Sequence, residues 1–228
     1  MPRRLLPATV LGLALFTAAA AHAALRSPQI AVSGTALQTF FTSRGQAINV
    51  NTDQIDLQTV SLAGNASVQV DAPIASTAAS EVLGLYNTSL AAPPLYQVFP
   101  GAASSGWVAV ASFRTAPTRV VVSLFDAGSA FQGSSTYLAG PPDPAFTGFY
   151  LQQAQGGVAY SQDARNAAGA RLLTFNSTGA FAGGTWLTWE TGAGPGGDFA
   201  DSIWLIGSAF APVPVVHTDW GTLKQRFR

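Results

Sequence analysis

The chain has 228 residues, no net formal charge and only 10% charged residues. Two of its eleven bases, Arg3 and Arg4, belong to the N-terminal signal described next, so nine bases face eleven acids in the rest. This mildly acidic body argues against nucleic acid as a partner, because phosphate binding needs a basic face, and the absence of cysteine excludes disulfides, thiol nucleophiles and thiolate metal sites.

Residues 1–23 have the pattern of an export signal. Arg3 and Arg4 precede the apolar run LLPATVLGLALFTAAAA, and AHA at 21–23 is a small-x-small cleavage site. A retained membrane anchor is the alternative, but the run is short and rich in alanine for a span of about 20 residues. We therefore expect a mature protein that starts at Ala24 and is exported to the periplasm, the cell surface or the medium, with no transmembrane segment left.

The segment 24–45 is predicted to be helical, because GTALQTFFTSRG has apolar residues at helical spacing. TAASEV at 77–82 is a second candidate helix. The rest reads as short strands between clusters of Gly, Pro, Asn, Asp and Ser. The predicted strands are QAINVNT, ASVQVDA, GWVAVASF, TRVVVSLF, TGFYLQQ, GVAYSQ, ARLLTF, TWLTWE and DSIWLIG.

This pattern predicts an all-β protein, an antiparallel two-sheet sandwich of jelly-roll-like form with a short N-terminal helix and a C-terminal tail. PPLYQVFPG at 93–101 and GPPDP at 140–144 are predicted to be long turns rather than linkers. We therefore expect one sandwich domain over residues 46–210 and a tail over 211–228.

Catalytic motifs are scarce. His22 lies in the signal, which leaves His217 in the tail as the mature chain's histidine, and no G-x-S-x-G elbow accompanies it. Histidine-rich zinc sites are excluded by count. GAGPGG at 192–197 precedes a strand instead of a helix, so it lacks the geometry of a phosphate cradle. We expect no catalytic residues and no organic cofactor.

Three carboxylates cluster in WETGAGPGGDFADSIWLI at 189–206, namely Glu190, Asp198 and Asp201. A hairpin would bring them to one end of the sandwich, and carboxylate and carbonyl oxygens are the ligands that calcium accepts. One interpretation is therefore a calcium site. The other is turn chemistry, in which Asp198 and Asp201 accept backbone N–H bonds and Glu190 faces solvent.

Paired acids also raise the possibility of a hydrolase. Glu190 with Asp198 or Asp201, and Asp163 across the sheet, are candidates for cleaving a glycosidic bond. Three tryptophans are positioned either to stack on a sugar or to fill the core: Trp186, Trp189 and Trp204. A cell-surface or extracellular polysaccharide is the partner that this alternative implies.

Several motifs resemble bacterial exported proteins associated with PEP-CTERM sorting, which carry a C-terminal domain of unknown function. The matches, in the family's order, are Gly148, Phe149, Tyr150 and Leu151; Tyr160, Ser161, Asn166 and Gly169; Trp189 and Glu190; and Gly196, Gly197, Asp198, Phe199, Asp201 and Ile203. ALQTFF, VNTDQIDL, LGLYN and YQVFPG are similar upstream. The resemblance spans nearly the whole mature chain and implies an exported domain without an established activity.

The chain departs from this family in two places. Thr191 stands where the family's Trp-Glu-Asp has its aspartate, Ala200 replaces an asparagine, and the turn is two residues shorter. The ending APVPVVHTDWGTLKQRFR keeps a basic cluster without Pro-Glu-Pro or an apolar helix, so it is either a different sorting signal or a solvated terminus. We expect an exported, non-catalytic sandwich with a surface, matrix or adhesion role; the alternative is a carboxylate-based hydrolase or a carbohydrate-binding module.

Overall fold

The computed structural model describes residues 23–60, 67–71, 74–76, 80–101, 106–115, 117–138, 144–192 and 197–207. The predicted tail, His217 and all but the last residue of the predicted signal lie outside these ranges. Across the described ranges, no helix is both long enough and apolar enough to span a bilayer.

The described residues form one α-helix and thirteen strands. The helix α1 is Ala36–Ser43, within the predicted GTALQTFFTSRG. It is shorter than the helical segment predicted over 24–45, because residues 24–35 are not helical and Leu25 forms a bridge with Ile55. The strands are β1 Gln54–Ile55, β2 Ser67–Asp71, β3 Ala75–Ser76, β4 Val82–Asn87, β5 Leu95–Phe99, β6 Val108–Thr115, β7 Thr118–Phe125, β8 Phe131–Tyr137, β9 Thr147–Gln152, β10 Val158–Tyr160, β11 Leu172–Asn176, β12 Thr185–Trp189 and β13 Ser202–Ile206. Two short 3-10 turns, Asp163–Arg165 and Gly179–Phe181, connect strands.

The strands make two antiparallel sheets. The larger sheet has the order β1-β11-β12-β13-β2-β6-β7-β8, with β3 also paired to β13, and the smaller has the order β10-β9-β4-β5. The predicted all-β, two-sheet antiparallel sandwich with a short N-terminal helix is therefore confirmed. The finer assignment to a jelly roll stays a prediction.

The larger sheet is covered on both faces where β11, β12 and β13 lie side by side. Successive side chains of a strand point to opposite faces of its sheet. Leu187 and Trp189 therefore lie in the core between the two sheets, whereas Trp186 on the same strand lies in a second core. That second core lies beneath α1, whose buried residues are Leu37 and Phe41. A strand that is buried on both faces has a nearly continuous apolar sequence. The sequence SIWLI of β13 has this pattern.

Three local predictions are wrong. QAINVNT is a loop, because local side-chain bonds replace a strand ladder: Asp53 Oδ2 accepts from the N–H of Asn49 at 2.7 Å, and Asn49 Oδ1 accepts from the N–H of Asn51 at 3.0 Å. The turn predicted at 93–101 contains β5, in which Tyr96, Val98 and Phe99 are buried. In TAASEV, residues 77–79 lie outside the described ranges, and Val82 begins β4 instead of ending a helix.

Candidate functional site

The acidic turn lies where β12 ends and β13 begins. Trp189 and Ser202 are register partners, so Glu190 and Asp201 flank the same end of the hairpin. Asp198 lies three residues before Asp201, on the returning arm. The antiparallel pairing thus brings the three predicted residues to one end of the larger sheet.

The carboxylate of Glu190 lies in a niche made by its own turn. The side chain is only 8% exposed. Oε1 accepts the N–H of Gly192 at 2.8 Å, and Oε2 accepts the N–H of Phe199 at 3.3 Å. A Cβ added at Gly197 would lie 1.7 Å from Oε2, so the niche exists only because residue 197 has no side chain. The expectation that Glu190 faces solvent under the turn interpretation is wrong.

The two aspartates also bind their own turn. Asp198 Oδ1 accepts the N–H of Ala200 at 2.9 Å, which is an Asx turn. Asp201 Oδ2 accepts the N–H and the hydroxyl of Thr191 at 2.7 and 2.8 Å, which ties the two arms together. Thr191 is therefore the partner of Asp201.

The three carboxylates point at separate backbone groups. Across the described part of the chain, no three His, Cys, Asp or Glu side chains come together in a way that could hold a metal ion. At least one oxygen of each carboxylate already accepts a backbone N–H. This geometry shows the turn chemistry of both aspartates, and calcium binding by Glu190, Asp198 and Asp201 stays a prediction.

Asp163, the fourth acid considered for catalysis, belongs to a separate cluster. It lies in the 3-10 turn after β10, and its Oδ2 accepts a bond from the guanidinium of Arg26, a buried residue of the N-terminal segment. Gln58 Oε1 accepts the N–H of Asp163 at 2.9 Å. Burial raises the pKa of the Asp163 carboxyl above its ordinary value, although the charge of Arg26 lowers it.

The ion pair gives Asp163 a structural role, since it ties the start of the described chain to the β10–β11 connection. Sequence reasoning missed Arg26 as the partner. The available signal was the scarcity of bases, because with nine bases outside residues 1–23 each base in the body is a strong candidate to pair with an acid.

The three tryptophans considered for sugar stacking are all fully buried, at 0% exposure. Trp204 lies 5.5 Å from Phe99 and Trp186 lies 5.9 Å from Phe41, measured between ring centroids. Stacking on a sugar needs an exposed ring face, so the core interpretation of Trp186, Trp189 and Trp204 is correct.

The residues that carry the family resemblance serve packing and turns. A Cβ at Gly148 would lie 2.7 Å from the ring of Tyr86, so this position requires glycine. Asn166 closes the turn after β10, since its Oδ1 accepts the N–H of Tyr160 at 2.9 Å and its Nδ2 donates to the carbonyl of the same residue at 2.8 Å. Gly169 has a φ of +82°, which favours glycine.

A cleft of about 250 Å³ opens between β5 of the smaller sheet and β7 and β8 of the larger one. Its lining includes the apolar residues Val98, Val122 and Leu124 and the hydroxyl-bearing residues Ser134, Ser135 and Tyr137. The residues that line this cleft are uncharged. The cleft therefore offers apolar contact and hydroxyls, and it is separate from the acidic turn.

No protein-family model matches this chain, and no curated protein or solved structure matches it either. The resemblance to PEP-CTERM-associated proteins therefore depends on the sequence motifs alone.

Proposed function

We propose that this protein is an exported, non-catalytic β-sandwich with a surface, matrix or adhesion role. The observation that carries this proposal is the bonding of the acidic turn. The carboxylates of Glu190, Asp198 and Asp201 accept hydrogen bonds from their own backbone, so they stabilise a hairpin end.

The hydrolase alternative has less support. Glycosidases place two carboxylates about 5–10 Å apart across a groove that holds the sugar. Here Asp163 is paired with Arg26, and the residues that line the cleft beside β8 are uncharged. The tryptophans considered for stacking on a sugar, Trp186, Trp189 and Trp204, are buried, so none of them supports a carbohydrate-binding role.

One experiment separates the two functions. The full gene is expressed in a Gram-negative host, the protein is located by cell fractionation, and the purified product is incubated with extracellular polysaccharides while released reducing ends are measured. We expect an exported chain that starts at Ala24 and releases none. The hydrolase would be established instead if the natural chain released reducing ends and the Glu190→Gln or Asp163→Asn variant, with an unchanged melting temperature, did not.

Calcium stiffening of the acidic turn is part of the proposal. If calcium binds the folded turn and does not bind the unfolded chain, calcium at 100 times its Kd should add about 2.7 kcal/mol to the free energy of unfolding. Thermal melts with and without calcium measure this increment. Asp198→Asn should remove this increment. Asp126→Asn is the matched control, because Asp126 Oδ1 also accepts N–H groups of its own turn, from Gly128 and Ala130 at 2.9 Å each. Identical melts in calcium and in chelator would reject the ion and leave the sandwich proposal intact.

A further inference from the structure

The edge strands of the two sheets are protected to very different degrees. Sheet edges expose unpaired N–H and C=O groups, and natural proteins shorten, cover or charge them. β1 has two residues and is bridged by Leu25, while β10 has three residues. β5 is largely buried, and its Gln97 carbonyl accepts the hydroxyl of Tyr137 at 2.8 Å.

β8 is the exception among these edges. Phe131–Tyr137 runs for seven residues, five of them exposed, and among the described residues its one strand neighbour is β7. Its sequence FQGSSTY contains neither a charged residue nor proline. Phe131 at its start is 61% exposed. β8 is thus an exposed edge without charge or proline, two common devices against strand pairing. Its pairing with β7 shifts register at Gln132, and this bulge leaves Gly133–Tyr137 as the regular part of the strand.

We propose that β8 pairs antiparallel with β8 of a second copy of this chain, about a two-fold axis at Ser134. Ser134 is the middle residue of the strand, and this register pairs Gly133, Ser134 and Ser135 of one copy with Ser135, Ser134 and Gly133 of the other. The absence of charge in β8 means that self-pairing brings no like charges face to face. This inference does not depend on the proposed function.

The charges around β8 favour the same antiparallel arrangement. Arg114 and Arg119 are register partners at the end of the β6–β7 hairpin that adjoins Tyr137. Asp126 lies at the opposite end, beside Phe131, and Asp71 lies at that end on β2. The two-fold axis therefore places the acidic end of one copy beside the basic end of the other. Arg119 of one copy and Asp126 of the other are then about three strand spacings, roughly 14 Å, apart, so their attraction acts at low ionic strength and is largely screened at physiological salt.

Cysteine cross-linking tests the register directly, because the natural chain has no cysteine. Directly opposed residues have Cβ atoms about 5 Å apart, which is close to disulfide geometry. We expect Ser134→Cys in the full chain, purified after export, to give a disulfide-linked dimer on oxidation. Gln132→Cys is the matched control in the same strand: the register separates its two copies by four residues, about 14 Å. Equal cross-linking of both variants would mean random collision and would overturn the proposal.

Sedimentation tests the association itself. The unmodified chain should sediment as a concentration-dependent dimer, and Ser134→Lys should raise the dimer Kd about tenfold or more, because two ammonium groups then face each other. Ser43→Lys makes the same substitution at the exposed end of α1 and should leave Kd unchanged. Thr136→Lys gives a second edge variant if the first folds poorly. A chain that is monomeric up to about 100 μM, or a dimer unaffected by either edge variant, would overturn the proposal.

Discussion

At the scale of single residues, the glycines of the acidic turn make room for a buried carboxylate. Added Cβ atoms at Gly192 and Gly197 would lie 2.6 and 1.7 Å from the carboxylate oxygens of Glu190. Phe199 donates its N–H to Glu190 from a backbone with φ of +52°, while its side chain is buried in the second core. A buried carboxylate without these donors would be costly, so the glycines, Phe199 and Glu190 depend on one another.

The first prediction concerns Gly197→Ala. The new methyl group would occupy the position of the Glu190 carboxylate and break its bonds to Gly192 and Phe199, so we expect the free energy of unfolding to fall by about 1–3 kcal/mol. Urea unfolding measures it. Gly207→Ala is the control, since the nearest atom to its added Cβ is 3.4 Å away and it should cost much less. Equal stability of the Gly197 variant and the natural chain would show that the niche does not hold the carboxylate.

At the scale of elements, hydrophobic alternation located the strands that bury large side chains. TRVVVSLF coincides with β7, and TWLTWE and DSIWLIG contain β12 and β13. β8 was not predicted, because its sequence has few apolar residues and resembles that of a loop. β5 was predicted to be a turn, because prolines flank LYQVF. The sequence placed Glu190 and Asp201 at one hairpin end correctly, but it did not reveal which backbone groups they bind, because those bonds depend on the path of the turn.

The connection between β4 and β5 depends on a residue from elsewhere in the chain. Arg165 Nη2 donates to the carbonyl of Thr88 at 3.2 Å and also to that of Leu90, and Nη1 donates to that of Ala91 at 3.2 Å. The guanidinium also lies 5.3 Å from the ring centroid of Tyr86. One planar group thus satisfies several carbonyls of a long turn at once.

The second prediction is that Arg165→Lys loosens this connection. An ammonium group cannot reproduce the planar fork, so we expect a loss of about 1–3 kcal/mol in the free energy of unfolding and faster amide exchange across residues 88–91. Arg114→Lys is the matched control, because Arg114 is exposed. If the amides of residues 88–91 were equally protected from hydrogen exchange in both variants, the role of Arg165 would be contradicted.

At the scale of the whole molecule, aromatic side chains are concentrated in the interior. Burial raises the pKa of Tyr86, Tyr96, Tyr137 and Tyr150, which are four of the five tyrosines. The neutral phenols are therefore favoured in the folded state. The fold retains these four protons at pH values where an unfolded chain releases them.

The third prediction follows from this difference. Above about pH 10 the unfolded state binds fewer protons than the folded state, so the free energy of unfolding must fall as pH rises, whereas below pH 10 the four tyrosines contribute no such slope. Urea midpoints between pH 8 and 12 measure it. Tyr150→Phe should make the alkaline decline shallower. A midpoint that is constant from pH 9 to 12 would contradict the raised pKa values.

The second core has a consequence for how the protein is made. Gln46 follows α1, and its side-chain oxygen accepts the indole N–H of Trp186, which lies 140 residues later in the chain. Phe41 of the helix packs against Phe175, which is also synthesised much later. At about 5–20 residues per second, synthesis of that interval takes roughly 7–30 seconds. During this time the apolar face of the helix lacks its cover, and the strand pairs that involve β11, β12 or β13 cannot form. The apolar face of α1 therefore stays exposed until β12 emerges, and exposed apolar segments of a growing chain are the surfaces that holding chaperones bind.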